Sequence, residues 1–297
     1  ISGVVTDSSG AAVVGARVNV TNTLTNAVFT TRSNESGFYT APSLTVGEYS
    51  VNVEQLGFKT ALRSGIILQV NQTAQVNVVL EIGQLTESVE VVGQAPLVES
   101  GSATLGKVIE NRRVQEMPIS GRNALALILL APGVKSNGGP MNSGFGERGM
   151  QISHMSINGG PNGMNASLLD GATNVHSGGA GEVNISPPVD SIEEFKVQSG
   201  NMSAEIGFTA GGVVNLVTRS GGNRLTGSVY EFLRNDRLDE QRVFTTKQAF
   251  RYNQFGGAVG GPIRRDKTFF FALWEEYRCR RGMPFITTTP TPQQRAC

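Results

Sequence analysis

The residues able to do chemistry in this sequence are few and scattered. Its two histidines, His154 and His176, lie in polar, glycine-rich stretches without a partner at metal-ligand spacing, so they read as surface-loop residues. Serine is plentiful, yet no G-x-S-x-G elbow raises one as a nucleophile. The stretch "GFGERG", Gly144 to Gly149, matches the dinucleotide-binding pattern, whose glycines let backbone N–H groups approach a pyrophosphate at a helix start. Its flanks, "KSNGGPMNS" and "MQISHMSING", supply neither the buried strand nor the helix that give the pattern meaning, and the stretch reads as a loop. Glu193 and Glu194 are adjacent and would diverge on a helix, so "SIEE" reads as a capping box with a solvated first turn rather than an acid/base pair. N-x-[ST] triplets such as Asn19-Val20-Thr21 are what an Asn- and Ser/Thr-rich chain yields by chance. Cys279 and Cys297 have no zinc or redox spacing. The expectation is a protein that is not an enzyme, with no catalytic, cofactor-binding or metal residues.

The elements that might carry a function of another kind are set by length and pattern. A chain of 297 residues is long enough for two or three domains. With 25 Lys+Arg against 24 Asp+Glu there is no net field to attract nucleic acid. The longest apolar run, "ALALILLA" at Ala124 to Ala131, is far short of the roughly 20 residues of a membrane-spanning helix. The chain opens at Ile1 inside a strand-like pattern, without Met or a signal sequence, which suggests that its start lies upstream.

Residues 1–82 alternate with period two, as in Val18 and Val20, Tyr49, Val51 and Val53, and Val76, Val78 and Leu80, separated by the turns "DSSG", "NESG" and "TVGE". This predicts a small β-sandwich. Residues 83–100 are extended and polar with a proline, a linker able to become a strand. Glycine, 37 residues in all, is concentrated in 101–222, where short helices are expected at "ALALILLA", capped by Asn123, and at "SIEE", with strands at Phe195 to Gln198 and in "GGVVNLVTR". Beyond Gly221 aromatic residues crowd into "GSVYEFLRN", "YNQFGGAVGG" and "KTFFFALWEEY", three strands whose texture suits either an outer-membrane barrel or an ordinary sandwich.

The order of these pieces carries a resemblance. "GVVTDSSGAAVVGARVNVTNT" with "SNESGFYTAPSLTVGEYSVNVEQLGFKT" resembles the carboxypeptidase regulatory-like domain, an immunoglobulin- or transthyretin-like sandwich, with Gly37 and Gly47 at that family's turn positions. "EMPISGRNALALILLAPGV" and "PPVDSIEEFKVQSGNMSAEIGFTAGGVVNLVTRSGGN" look like the plug of a TonB-dependent outer-membrane receptor, and "NQFGGAVGGPIRRDKTFFFALWEEYR" is similar to the first barrel strands of the Oar-like subgroup. The resemblance implies a mainly β protein: a sandwich at 1–82, a linker at 83–100, an α/β plug at 101–222, and the first strands of an incomplete transmembrane β-barrel at 223–297.

It implies a receptor that gates uptake of a scarce ligand (an iron chelate, cobalamin, an oligosaccharide or a peptide) across the outer membrane of a Gram-negative bacterium. The sandwich and linker would face the periplasm and the barrel would face lipid. Energy would come from TonB, paired by β-augmentation to a TonB box for which the candidate is "TESVEVV": Thr86, Glu87, Ser88, Val89, Glu90, Val91 and Val92. The same stretch also suits a last strand or tether of the sandwich. The loops Asn137 to Gly149 and Asn174 to Gly181 have an adaptable, aromatic-poor texture that would suit ligand contact or plain connection. A barrel of about 22 strands at roughly 10 residues each needs some 220 residues, against the 74 from Arg224 to Cys297, so the chain is expected to be a piece of a longer receptor. The alternative function is a secreted or surface β-sandwich adhesin or matrix protein, which would continue in further sandwich-like modules. A periplasmic enzyme with an accessory sandwich would need a catalytic cluster.

Overall fold

The computed structural model describes residues 1–84, 88–92, 105–110, 122, 124–136, 155–161, 163–175, 183–201, 206–207, 209–238 and 249–282. These residues divide into two compact units, one of Ile1–Thr226 with Val259–Ala272 and one of Gly227–Ala258 with Leu273–Cys297. Apart from two short 3-10 segments, the named elements are all strands, so the protein is mainly β.

In the first unit, β1 (Ser2–Asp7) lies between β4 (Phe38–Thr40) and β7 (Val78–Leu80). A second sheet runs β3-β2-β5-β6-β8, built from β2 (Arg17–Asn22), β3 (Val28–Arg32), β5 (Gly47–Glu54), β6 (Thr60–Leu68) and β8 (Ser88–Val92). Period-two alternation puts Val18 and Val20 opposite Val53 and Val51, and all four are fully buried. They join Val5, Tyr39, Tyr49, Ile66 and Leu80 in one apolar core. The turns that bound these strands are built by side-chain oxygens. Asp7 Oδ1 accepts the N–H groups of Ser9 and Ala11 at 2.9 Å, and Asn34 Oδ1 accepts those of Ser36 and Phe38 at 3.0 and 2.9 Å. Gly37 has a φ of 74°, and a Cβ there would stand 2.5 Å from the Val5 carbonyl oxygen, so only glycine fits.

The next strands are β9 (Leu105–Glu110), β10 (Val134–Ser136), β11 (Met155–Ile157), β12 (Ala166–Leu169), β13 (Ala172–Thr173), β14 (Ile192–Gly200) and β15 (Val213–Thr218). Five form a mixed sheet in the order β13-β12-β15-β14-β9, and β10 pairs with β11. Phe195, Val197, Val214 and Leu216 pack from this sheet against Leu125 and Ile128 in a second core. Leu125 and Ile128 lie on a 3-10 helix, Ala124–Leu130, where the sequence predicts a short helix, and Gly133 at φ 78° ends the turn that follows. The expected cap, Asn123, lies outside the described residues.

The "SIEE" capping box does not start a helix. A single 3-10 turn, Val189–Ser191, ends at Ile192, whose φ of −92° and ψ of 126° are extended, and Glu193 and Glu194 belong to β14. The physical reason is tertiary: β14 is hydrogen-bonded on both sides, to β15 and β9, and Ile192, Phe195 and Val197 bury their side chains there. That outweighs a local cap.

After "SGGN" come β16 (Thr226–Asn235), β17 (Phe250–Arg264) and β18 (Thr268–Arg281), one sheet in that order. At the seam, a Cβ on Gly221 would lie 2.2 Å from the carbonyl oxygen of Phe270. Among the described residues no helix is long and apolar enough to cross a membrane.

Candidate functional site

Of the candidate coupling residues, Thr86 and Glu87 lie outside the described residues, and Ser88–Val92 form β8. Its backbone pairs in parallel with β6, with Thr60 opposite Ser88, Leu62 opposite Glu90 and Ser64 opposite Val92. The register has local causes on both sides. Upstream, the Lys59 N–H donates to the Glu81 carbonyl at 2.8 Å, the Gly83 N–H to the Gly57 carbonyl at 3.2 Å, and Phe58 bridges Ile82, so the chain is delivered beside the start of β6. A Lys59–Glu81 ion pair at 3.7 Å adds to this clasp. Downstream, the ladder ends at Ser64, one residue before Gly65, whose φ of 77° breaks the extended run. Among the described residues β8 is the last strand of its sheet, and a strand paired on one side turns half of its backbone groups to the other.

A second arrangement, which the sequence reading missed, joins the sandwich to the mixed sheet within the first unit. The Val70 N–H donates to Glu194 Oε1, Lys196 Nζ donates to the Asn71 carbonyl at 3.3 Å, and Asn215 Nδ2 donates to Asn71 Oδ1 at 3.1 Å. Asn71 adopts φ 51°, and its turn is braced by the Gln69 N–H donating to Gln72 Oε1 at 2.9 Å. Glu194, Lys196, Gln198 and Asn215 are all buried. Buried charge is tolerated where it is paired and hydrogen-bonded, and the sandwich supplies part of that satisfaction. The signal was present as alternation: Glu194, Lys196 and Gln198 interleave with Phe195 and Val197, a strand with a polar face.

Two further contacts in the same unit fix the ends of these segments. Asp266 Oδ1 accepts from Asn26 Nδ2 at 2.9 Å and from Asn223 Nδ2 at 2.8 Å, and the Asn223 N–H donates to the Leu24 carbonyl at 2.9 Å. Arg122 pairs with the buried carboxylate of Asp190.

The other sequence candidates contribute no site among the described residues. His154, His176 and Gly144–Gly149 lie outside them, as do residues 137–149 and 176–181 of the two candidate ligand loops. Asn174, at the start of the second, is a bracing residue: its Nδ2 donates to the Ile185 carbonyl at 2.8 Å and its Oδ1 accepts the Ile185 N–H at 2.9 Å. No group of three His, Cys, Asp or Glu able to hold a metal occurs among the described residues. The last sheet instead carries an aromatic trough. Phe255 meets Trp274 edge-on at 5.6 Å, Arg278 lies 5.6 Å over the Phe255 ring, and Tyr230 and Val229 complete the wall.

Residues 1–81 match the carboxypeptidase regulatory-like domain, and residues 217–297 match an outer membrane beta barrel domain. The chain is 33% identical over 259 residues, 81% of its length, to the TonB-dependent transporter Oar of Myxococcus xanthus. Most of the chain is thus similar to a TonB-dependent outer-membrane transporter. The chain spans 23% of the length of that relative. Among solved structures it is similar to the siderophore receptors PirA of Acinetobacter baumannii (TM-score 0.41, 23% identity, 58% of this chain and 24% of that one) and of Pseudomonas aeruginosa (TM-score 0.40, 21% identity, 59% and 27%). These relatives carry the names of transporters and receptors, not of enzymes. The adhesin alternative expected further sandwich-like modules, whereas the segment after the seam matches an outer-membrane barrel family.

Proposed function

We propose that this receptor chain takes part in energy-coupled uptake of a scarce ligand, with residues 101–222 as the plug and Thr86 to Val92 as the segment that TonB engages from the periplasm. The observation that carries the reading is β8, a short strand at the end of a sheet, placed in the chain between the sandwich strands and the mixed sheet. An edge strand offers backbone groups to a partner's sheet with little demand on side-chain identity, which is the physical basis of β-augmentation. The ligand in this reading belongs to one of the wider family's cargo classes: an iron chelate, cobalamin, an oligosaccharide or a peptide. The sandwich and linker belong on the periplasmic side in this reading, because the coupling segment must meet its partner there.

The test is proline at Val89 or Val91. Each removes a backbone donor from the strand, and uptake by the assembled receptor is expected to be lost while its level in the outer membrane stays unchanged. Undiminished uptake by both variants would refute the assignment.

A further inference from the structure

We infer that the turn joining β17 to β18 is a docking surface for anionic phospholipid headgroups of the periplasmic leaflet, with Arg264, Arg265 and Lys267 as its cations. Residues 217–297 match an outer membrane beta barrel domain, and in such barrels the periplasmic connections are short while the outer ones are long. β16 and β17 are joined by residues 236–249, whereas β17 and β18 are joined by residues 265–267 alone. The basic turn therefore belongs to the periplasmic end of its hairpin, at the level where the headgroups of that leaflet begin.

The single carboxylate of the turn is engaged by the protein itself. The Lys267 N–H donates to the Arg264 carbonyl at 3.2 Å and closes a β-turn in which Asp266 adopts φ 63°. The Asp266 N–H donates to Asn223 Oδ1 at 2.8 Å, and Asp266 Oδ1 accepts from Asn223 Nδ2 at 2.8 Å and from Asn26 Nδ2 at 2.9 Å. The loop that supplies Asn26 is braced in turn, because Asn22 Oδ1 accepts the Leu24 N–H at 2.9 Å and the Leu24 carbonyl accepts the Asn223 N–H at 2.9 Å. Arg264, Arg265 and Lys267, by contrast, are exposed and form no ion pair among the described residues. Just before them Val259 and Ile263 share one face of β17, and both are exposed, Ile263 at 70%. An apolar strand face that ends in cations suits a membrane edge, where basic side chains leave their stems with the hydrocarbon and bring their charge to the headgroup phosphates. Charge selects the lipid: three cations against one carboxylate favour a net negative headgroup over a zwitterion, each basic residue beside an anionic surface adding about fivefold to binding.

The test is co-flotation of the 297-residue chain at low salt with two kinds of vesicle, phosphatidylcholine alone and equal parts phosphatidylcholine and phosphatidylglycerol. Arg264→Gln, Arg265→Gln and Lys267→Gln together are expected to weaken binding to the anionic vesicles about tenfold or more and to leave binding to the neutral ones unchanged. Asp266→Asn keeps the Oδ1 acceptor and removes the charge, so it is expected to tighten anionic binding about fivefold. Arg17→Gln, Arg32→Gln and Lys135→Gln remove the same charge from exposed positions elsewhere and are expected to weaken it no more than about twofold. Equal losses from the two triple variants would mean that overall charge alone drives binding, and would overturn the docking surface. So would a turn variant that binds anionic vesicles as the unaltered chain does, or an Asp266→Asn variant that binds no more tightly. Neither result bears on the coupling segment, which lies in another part of the chain.

Discussion

The sandwich and the last sheet use the same period-two alternation and end in opposite surroundings. In β2 and β5 every second side chain is buried, and Val18, Val20, Val51 and Val53 are fully removed from water. In β16 no residue reaches the buried class: Val229 is 90% exposed and Leu233 61%. The sandwich encloses its own apolar face with a second sheet. The last sheet presents Val229, Leu233, Ile263 and Trp274 outward, as outer-membrane barrel strands present their lipid-facing side chains. The difference lies in whether a second layer of protein stands opposite, which strand pattern alone does not specify.

Charge placed on each sheet breaks this comparison most directly. Val51→Asp buries an unpaired carboxylate and is expected to cost about 4 kcal/mol or more, unfolding the sandwich in a urea titration. Val229→Arg in water is expected to change stability by no more than about 0.5 kcal/mol. In a bilayer-assembled receptor the same arginine would cost up to about 2–4 kcal/mol, depending on its depth. A large loss from Val229→Arg in water would mean that a protein layer covers this face.

Packing gives the next effect. Gly212→Ala would put a Cβ 2.3 Å from Cγ2 of Ile157 and 2.7 Å from the Gln198 carbonyl, and is expected to destabilise the mixed sheet by about 1–3 kcal/mol in chemical denaturation. Tyr39→Phe is smaller. It removes the hydroxyl that donates to the Val76 carbonyl at 2.7 Å and is expected to cost about 1 kcal/mol near neutral pH.

Tyr39 also supplies a test in pH. Burial pushes its phenol well above the usual tyrosine range, so the unfolded chain loses the proton first as pH rises. The stability this group contributes is fully present below its unfolded pKa, near 10, and falls as pH climbs above that value toward the folded one. Alkaline unfolding of the sandwich is expected to begin at higher pH in Tyr39→Phe, and an unchanged alkaline midpoint would count against this role. The smallest effect lies at Asp7. The Ser9 hydroxyl, followed by the Ala11 N–H, holds its carboxylate below the usual range, so its contribution is present above about pH 4 and fades on further acidification. Asp7→Ala should flatten the acid limb of the sandwich's melting profile.

Much of this fold is legible without coordinates, because local alternation and turn chemistry suffice for it. The valines of β2 and β5, the oxygens of Asp7 and Asn34, and Gly37 each carry their reason in the sequence. "SIEE" misled for an equally definite reason: a capping box is a local signal, and β14 is held by strands from Leu105–Glu110 and Val213–Thr218. The polar row of Glu194, Lys196 and Gln198 was visible as alternation, but the turn at Val70 and Asn71 that meets it lies more than a hundred residues away, and no short-range pattern connects the two.

The sequence by itself determined the alternating strands of the sandwich and of the last sheet, where the sandwich turns, and that "SGGN" separates two textures, since these follow from backbone sterics and side-chain period. Only the tertiary structure decided that Ser88–Val92 lie on the edge of β6 and that buried charges of β14 are met by the sandwich. Both are pairings between segments whose own preferences allow several partners, and the choice among them is made by the geometry of the assembled sheets.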